Sequence, residues 1–164
     1  MKKFLGAICS AAVGALTFLF LSLDSMVSKT TAGSLENKSA LNAWDLIGES
    51  SEYAAEIQGY TLYKISTIAL IIVASLLILS AIILLLQNLK VFKSKVNFAG
   101  INNVLLTIFA VLALVAVIAV FVMAKDLVPE AASNNLSVYA GLGAWLNLAV
   151  GAVACVAGWA VAKK

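Results

Sequence analysis

Four acidic side chains in residues 45–56 are the best candidates for chemistry in this chain. Three- and four-residue spacings place them on one face of a helix: Asp45, Glu49, Glu52 and Glu56. Carboxylates on adjacent helical turns can supply oxygen ligands to Ca²⁺, or act as general acids and bases. A calcium site needs ligands that converge from several directions, and one straight face supplies few. A solvated helix face is therefore the favoured interpretation, and an outer surface for cations or a basic partner is the alternative.

Catalytic motifs are missing from the sequence. The chain contains no histidine, no HExxH or CxxC pattern and no recognisable nucleophile motif. We therefore predict no catalytic residue, no metal site and no cofactor. A membrane enzyme that uses the outer carboxylates stays open as an alternative, and it would need Glu49, Glu52 or Glu56 for turnover.

Small residues recur every four positions in two apolar segments. Such stripes allow helix backbones to approach closely in lipid, and an amide among them can hydrogen-bond across the contact. Internal packing of the two segments on each other is the favoured interpretation; a surface for self-association or for a partner is the functional one. The residues are Gly6, Ser10 and Gly14 in one segment, and Gly143, Asn147, Gly151 and Cys155 in the other.

Four long uncharged stretches must position these residues. A helix needs about 20 apolar residues to cross a bilayer core, and 63% of the chain is hydrophobic. We predict an all-α integral membrane four-helix bundle as a single domain, 1–164. The first span is expected to be retained, because no small-x-small cleavage site closes its apolar run. The predicted spans are 4–23, 64–88, 101–124 and 138–161.

The charges sort into two sets along the chain. All eight acidic residues fall in the segments 24–63 and 125–137. The charged side chains of both termini and of the loop 89–100 are all lysines. Lysine-rich flanks stay in the cytoplasm, so both termini and that loop are predicted inside and the two acidic segments outside. The chain has no arginine, which argues against nucleic-acid binding and weakly favours a bacterial plasma membrane. The loop lysines Lys90, Lys93 and Lys95 have a secondary interpretation as contacts to anionic inner-leaflet lipid.

The outer segments are expected to be partly helical and otherwise irregular. Residues 25–39 are rich in Ser, Thr, Lys and Gly and are predicted irregular, whereas 40–58 has helical spacing and is predicted as an amphipathic helix that breaks near Gly59. A continuous extension of the second span is the alternative. Residues 125–137 contain the only proline and are predicted as a turn.

Glycine is unevenly distributed among the four spans. The first and fourth contain several glycines and the second and third are dominated by Leu, Ile and Val. We therefore expect the first and fourth spans to make the tightest contacts, and parts of the second and third to face lipid.

The layout is similar to that of the claudin-type tetraspan proteins, which have a larger first and a smaller second outer loop. The resemblance is topological only. Claudin-like proteins carry a Trp–Gly-Leu-Trp motif and a cysteine pair in the first loop, but this chain has Trp44 alone there and no cysteine. It implies no functional residue.

These observations predict a non-catalytic accessory, scaffold or interaction subunit in the lipid bilayer. Its partner would be another membrane protein or a second copy, bound through the first and fourth spans and the acidic outer segment. The alternative is a small oligomeric channel, a holin-like pore or an exporter.

Overall fold

The computed structural model describes residues 2–32, 34–48, 56–91, 96–128 and 135–162. Four of its helices are long and apolar enough to cross a membrane, as predicted. The two middle helices have 29 and 30 residues, or about 45 Å at 1.5 Å per residue, so they exceed a bilayer core of about 30 Å. The four are α1 (Lys2–Leu21), α3 (Tyr60–Asn88), α4 (Phe98–Leu127) and α5 (Leu142–Ala162).

A three-stranded antiparallel sheet corrects the all-α prediction. Its strands are β1 (Asp24–Ala32), β2 (Leu35–Asn42) and β3 (Leu136–Ala140), in the order β2-β1-β3. The sheet joins β1, predicted as irregular chain, to β3, predicted as the end of a turn and the start of the fourth span, because Thr30 pairs with Leu136 and Met26 with Ala140. The last long helix therefore begins at Leu142 and not at residue 138. Backbone hydrogen bonds between distant segments therefore supply the order that local composition did not indicate.

The short helix α2 (Ala43–Gly48) follows β2 directly. Asp45 N donates to Asn42 Oδ1 at 3.0 Å, and Asn42 N donates to Asp45 Oδ2 at 3.4 Å. This reciprocal cap satisfies donors at the start of the helix, so the helix begins at Ala43 and not at residue 40. Residues 49–55 of the predicted helix 40–58 lie outside the described residues. The predicted break near Gly59 is confirmed, because Gly59 has φ +83° and α3 begins at the next residue.

The four long helices pack in the order α1–α3–α4–α5, and α5 also contacts α1. The α3–α4 and α1–α3 contacts are the most extensive, and the α1–α5 contact is the smallest of the four. The expectation that the first and fourth spans pack most tightly is therefore wrong. Large side chains fill the contacts of α3 and α4: Leu70, Leu77, Leu106 and Phe109 are fully buried. Both helices also expose rows of large apolar residues, which fits the expectation that parts of them face lipid.

The packing defines two ends of the helices. At one end, named here the sheet end, Met26 of β1 and Leu46 of α2 pack with Tyr63 and Met123 of the middle helices. The opposite end, named the loop end, carries the α3–α4 connection, and Ser10 of α1 lies beside Ser80 and Asn102 there. Both the first residues of α1 and the last of α5 lie toward the loop end.

Two glycines of the α1 stripe differ in their surroundings, which gives a test of the packing. A Cβ at Gly14 would lie 2.5 Å from Ile78 Cγ1 and 2.8 Å from Ala74 O of α3, whereas a Cβ at Gly6 meets nothing within 4 Å. Gly14→Ala is expected to lower the free energy of unfolding by about 1–3 kcal/mol through overpacking. The control Gly6→Ala is expected to leave it unchanged or raise it by up to about 1 kcal/mol. SDS titration of mixed micelles, followed by circular dichroism, measures both; equal effects would contradict the packing.

Candidate functional site

A buried polar network joins three helices near the loop end. Asn102 Oδ1 of α4 accepts hydrogen bonds from Ser10 Oγ of α1 at 2.7 Å and from Ser80 Oγ of α3 at 2.9 Å. All three side chains are buried. Ser10 Oγ also lies 3.0 Å from Gly6 O, so its single proton is shared between two acceptors. A polar group in an apolar interior is stable only when it has a hydrogen-bond partner. Here the side-chain oxygen of Asn102 is the partner of both serine hydroxyls.

Sequence reasoning missed Asn102, because the third span was predicted to begin at residue 101. The helix begins at Phe98 instead, and Asn97 Oδ1 caps it by accepting from Gly100 N at 3.0 Å. The Asn-x-x-Gly pattern at 97–100 was the available signal for an earlier start. With that start, Asn102 lies inside the helix, so Asn102 and Asn147 are both interior amides of the long helices.

A second polar group joins α4 to α5. Trp159 Nε1 donates to Thr107 Oγ1 at 3.0 Å, and Thr107 Oγ1 lies 3.5 Å from Cys155 Sγ. Thr107 Oγ1 also donates to Asn103 O of its own helix at 2.9 Å. Cys155 thus has a polar neighbour, and the structure places Cys9 elsewhere, in a groove between α1 and α5.

The predicted small-residue stripes do not form one shared seam. Gly14 faces α3, Gly151 packs on Phe109 and Ala110 of α4, and Gly143 lies against the carbonyl of Phe20 at the end of α1. Asn147 points toward the centre of the sheet end, where it lines a small cavity. The stripe residues other than Gly6 therefore serve several different contacts of the fold, and the Cβ position of Gly6 is open.

The seam between α1 and α5 contains an apolar groove of about 290 Å³. Small side chains form its walls, and it lies where the contact between neighbouring helices is least extensive. Both helices contribute to its lining, which consists of Cys9, Ala12, Val13, Ala149, Val150, Val153, Ala154 and Ala157.

Only part of the predicted acidic face lies within the described residues. Asp45 caps α2, and Glu56 is exposed; Glu49 and Glu52 lie outside the described residues. Within the described ranges, no group of three His, Cys, Asp or Glu side chains could hold a metal ion. Asp126, outside the stripe, accepts from Gln58 N at 2.7 Å and so ties the start of α3 to the end of α4.

One ion pair lies on the exposed hairpin of the sheet. Lys29 Nζ is 2.6 Å from Glu36 Oε1, across neighbouring strands. The hydrogen bond from Lys29, and then its charge, lower the pKa of the Glu36 carboxyl below the ordinary value. The pair is exposed, so it orders the hairpin locally and contributes little to global stability.

The basic loop between α3 and α4 is only partly described. Lys90 is exposed and has φ +61°, where the chain turns after α3. Lys93 and Lys95 lie outside the described residues.

The chain matches no protein-family model and no curated protein. Its four apolar helices suggest a membrane protein.

Proposed function

We propose that this chain is a non-catalytic interaction subunit of the plasma membrane that binds an apolar transmembrane helix of another protein in the α1–α5 groove. The groove carries the proposal, because it is a long apolar depression lined by small residues at the least extensive seam of the bundle. Helix association in lipid depends on close packing, and small side chains let a partner backbone approach. The partner helix would fill the space that α1 and α5 leave between them.

The same proposal gives the chain a four-helix bundle with both termini in the cytoplasm. Seven of the eleven lysines belong to the two termini and to residues 89–100, and lysine-rich flanks stay in the cytoplasm. The sheet end then faces outward, with the acidic residues beside it. A bacterial plasma membrane fits a chain that uses lysine and no arginine. Lys90 at the loop end has anionic lipid as a secondary contact.

Photo-crosslinking in native membranes tests the groove. A benzophenone amino acid at Val153, a groove residue that is 70% exposed, is expected to give one discrete protein adduct. The same probe at Ile72 of α3, which is 56% exposed and outside the groove, is expected to give lipid adducts only. Lipid adducts alone at Val153, or the same protein adduct at both positions, would contradict the proposal.

Matched alanines make the test specific. Ala12→Phe and Ala149→Phe would fill the groove and are expected to reduce the Val153 adduct at least tenfold. Ala15→Phe and Ala152→Phe place the same ring on exposed alanines of the same helices, outside the groove. These two variants are expected to retain the Val153 adduct. An adduct of doubled mass would identify a second copy of this chain as the partner.

The alternative function, an oligomeric channel, holin-like pore or exporter, makes the opposite prediction for transport. Purified chain in liposomes is expected to give no ion or dye flux above empty vesicles. Flux that depends on protein concentration would favour the pore.

A further inference from the structure

Two buried oxygen atoms at the sheet end have no partner at hydrogen-bonding distance and angle among the described residues. They are Thr67 Oγ1 of α3, which has the Tyr63 side chain nearby, and Asn147 Oδ1 of α5, on side chains that are 2% and 5% exposed. By contrast, the buried hydroxyls of Ser10, Ser80 and Thr17 in the long helices are hydrogen-bonded. An unpaired polar atom in an apolar interior costs about 1–3 kcal/mol, so two of them together require an explanation.

Both side chains line the same small cavity of about 20 Å³. A water molecule needs at least about 10–15 Å³ measured in this way, and 2–4 polar partners. The cavity satisfies both requirements, because Ser25 and Tyr63 contribute two further polar side chains to its wall. Apolar side chains, including Leu21, Leu70 and Ala113, close the remainder.

We propose that this cavity binds one water molecule, which donates to Asn147 Oδ1 and hydrogen-bonds to Thr67 Oγ1. The water connects α3 to α5, two helices that lie diagonally across the bundle and make little direct contact. Ser25 of β1 lies at the same cavity, so the water also links the helices to the sheet. This inference is independent of the α1–α5 groove and of the proposed partner.

A neutral ligand fits better than a cation. The oxygen atoms resemble ligands for a small monovalent ion, but no charged side chain lines the cavity. Transfer of an unpaired ion into a low-dielectric interior has an idealised cost of order 20 kcal/mol, which exceeds what a few neutral dipoles return. Water meets the hydrogen-bonding need without this cost.

Nuclear magnetic resonance on the full chain in nanodiscs detects the water directly. With threonine methyl groups labelled, we expect a cross-peak between water and the Thr67 methyl group. Thr17 is the matched control, since it is equally buried and its Oγ1 donates to Val13 O at 2.7 Å. A cross-peak at Thr67 and none at Thr17 supports the water. No cross-peak at Thr67, or equal intensity at both, overturns it.

Thermal unfolding gives a second test through a double-mutant cycle. If one water bridges both atoms, Thr67→Val and Asn147→Leu each lower Tm, by about 2–6 °C. The double variant then loses less than the sum, because the first change already releases the water. If the cavity is dry, Thr67→Val removes an unpaired hydroxyl and raises Tm, which contradicts the proposal. Thr17→Val controls for the loss of a hydroxyl bonded within its own helix.

Discussion

Gly141→Ala is expected to lower the free energy of unfolding by about 1–3 kcal/mol, at the upper end of that range. A Cβ at this position would collide with the carbonyl oxygen of Asp24 and lie 2.6 Å from its carbonyl carbon. Backbone atoms cannot move aside as the end of a flexible side chain can. Gly141 N also donates to Ser25 O at 2.9 Å, so relieving the collision would break the bond that docks the start of α5 on β1.

Gly48→Ala is the control for Gly141→Ala, because a Cβ there meets nothing within 4 Å. It is expected to unfold like the unmodified chain in the same SDS titration. Equal stability of the two variants would contradict the close approach of α5 to β1. Hydrogen exchange adds a local measurement: Gly141→Ala is expected to reduce protection of the β1 and β3 amides more than that of α3.

The Asn102→Leu variant is expected to lose about 1–2 kcal/mol of stability. Leucine has a similar size but cannot accept the hydrogen bonds from Ser10 and Ser80. Each side-chain hydrogen bond between membrane helices contributes about 0.6 kcal/mol on average. Loss of two such bonds, together with the cost of leaving a serine hydroxyl partly unpaired, gives this range. The serines limit the loss, because Ser10 Oγ retains Gly6 O as an acceptor.

A double-mutant cycle with Ser80→Ala isolates the contact in that network. The coupling between Asn102→Leu and Ser80→Ala is expected to be at least about 0.5 kcal/mol. Ser75→Ala is the control, since Ser75 Oγ donates to Ile71 O on its own helix. Additive losses for the Asn102 and Ser80 variants would show that the two side chains do not interact.

The sequence was sufficient to predict the four long helices, because uncharged apolar runs of that length have one stable structure in lipid. It was insufficient for the sheet. β1 has the sequence DSMVSKTTA, which lacks a regular apolar alternation, and its partner β3 lies more than 100 residues further along the chain. Pairing of that kind depends on how the helices bring distant segments together, which no local pattern reports.

The packing partner of each small residue was equally hard to predict. Glycine content indicated close contacts but not their direction, and the rotation of each helix is set by its neighbours. Gly14 therefore faces α3, and Gly151 faces α4. Asn147 was expected to hydrogen-bond across a helix contact, but its Oδ1 has no partner among the described residues.

Thiol accessibility in intact cells tests the proposed orientation most directly. In a chain with Cys9→Ala and Cys155→Ala, single cysteines are introduced as Ser34→Cys, exposed in the sheet hairpin, and Val91→Cys, exposed at the loop end. A membrane-impermeant maleimide is expected to label Ser34→Cys in intact cells and Val91→Cys only after permeabilisation. Labelling of Val91→Cys but not of Ser34→Cys in intact cells would contradict the account.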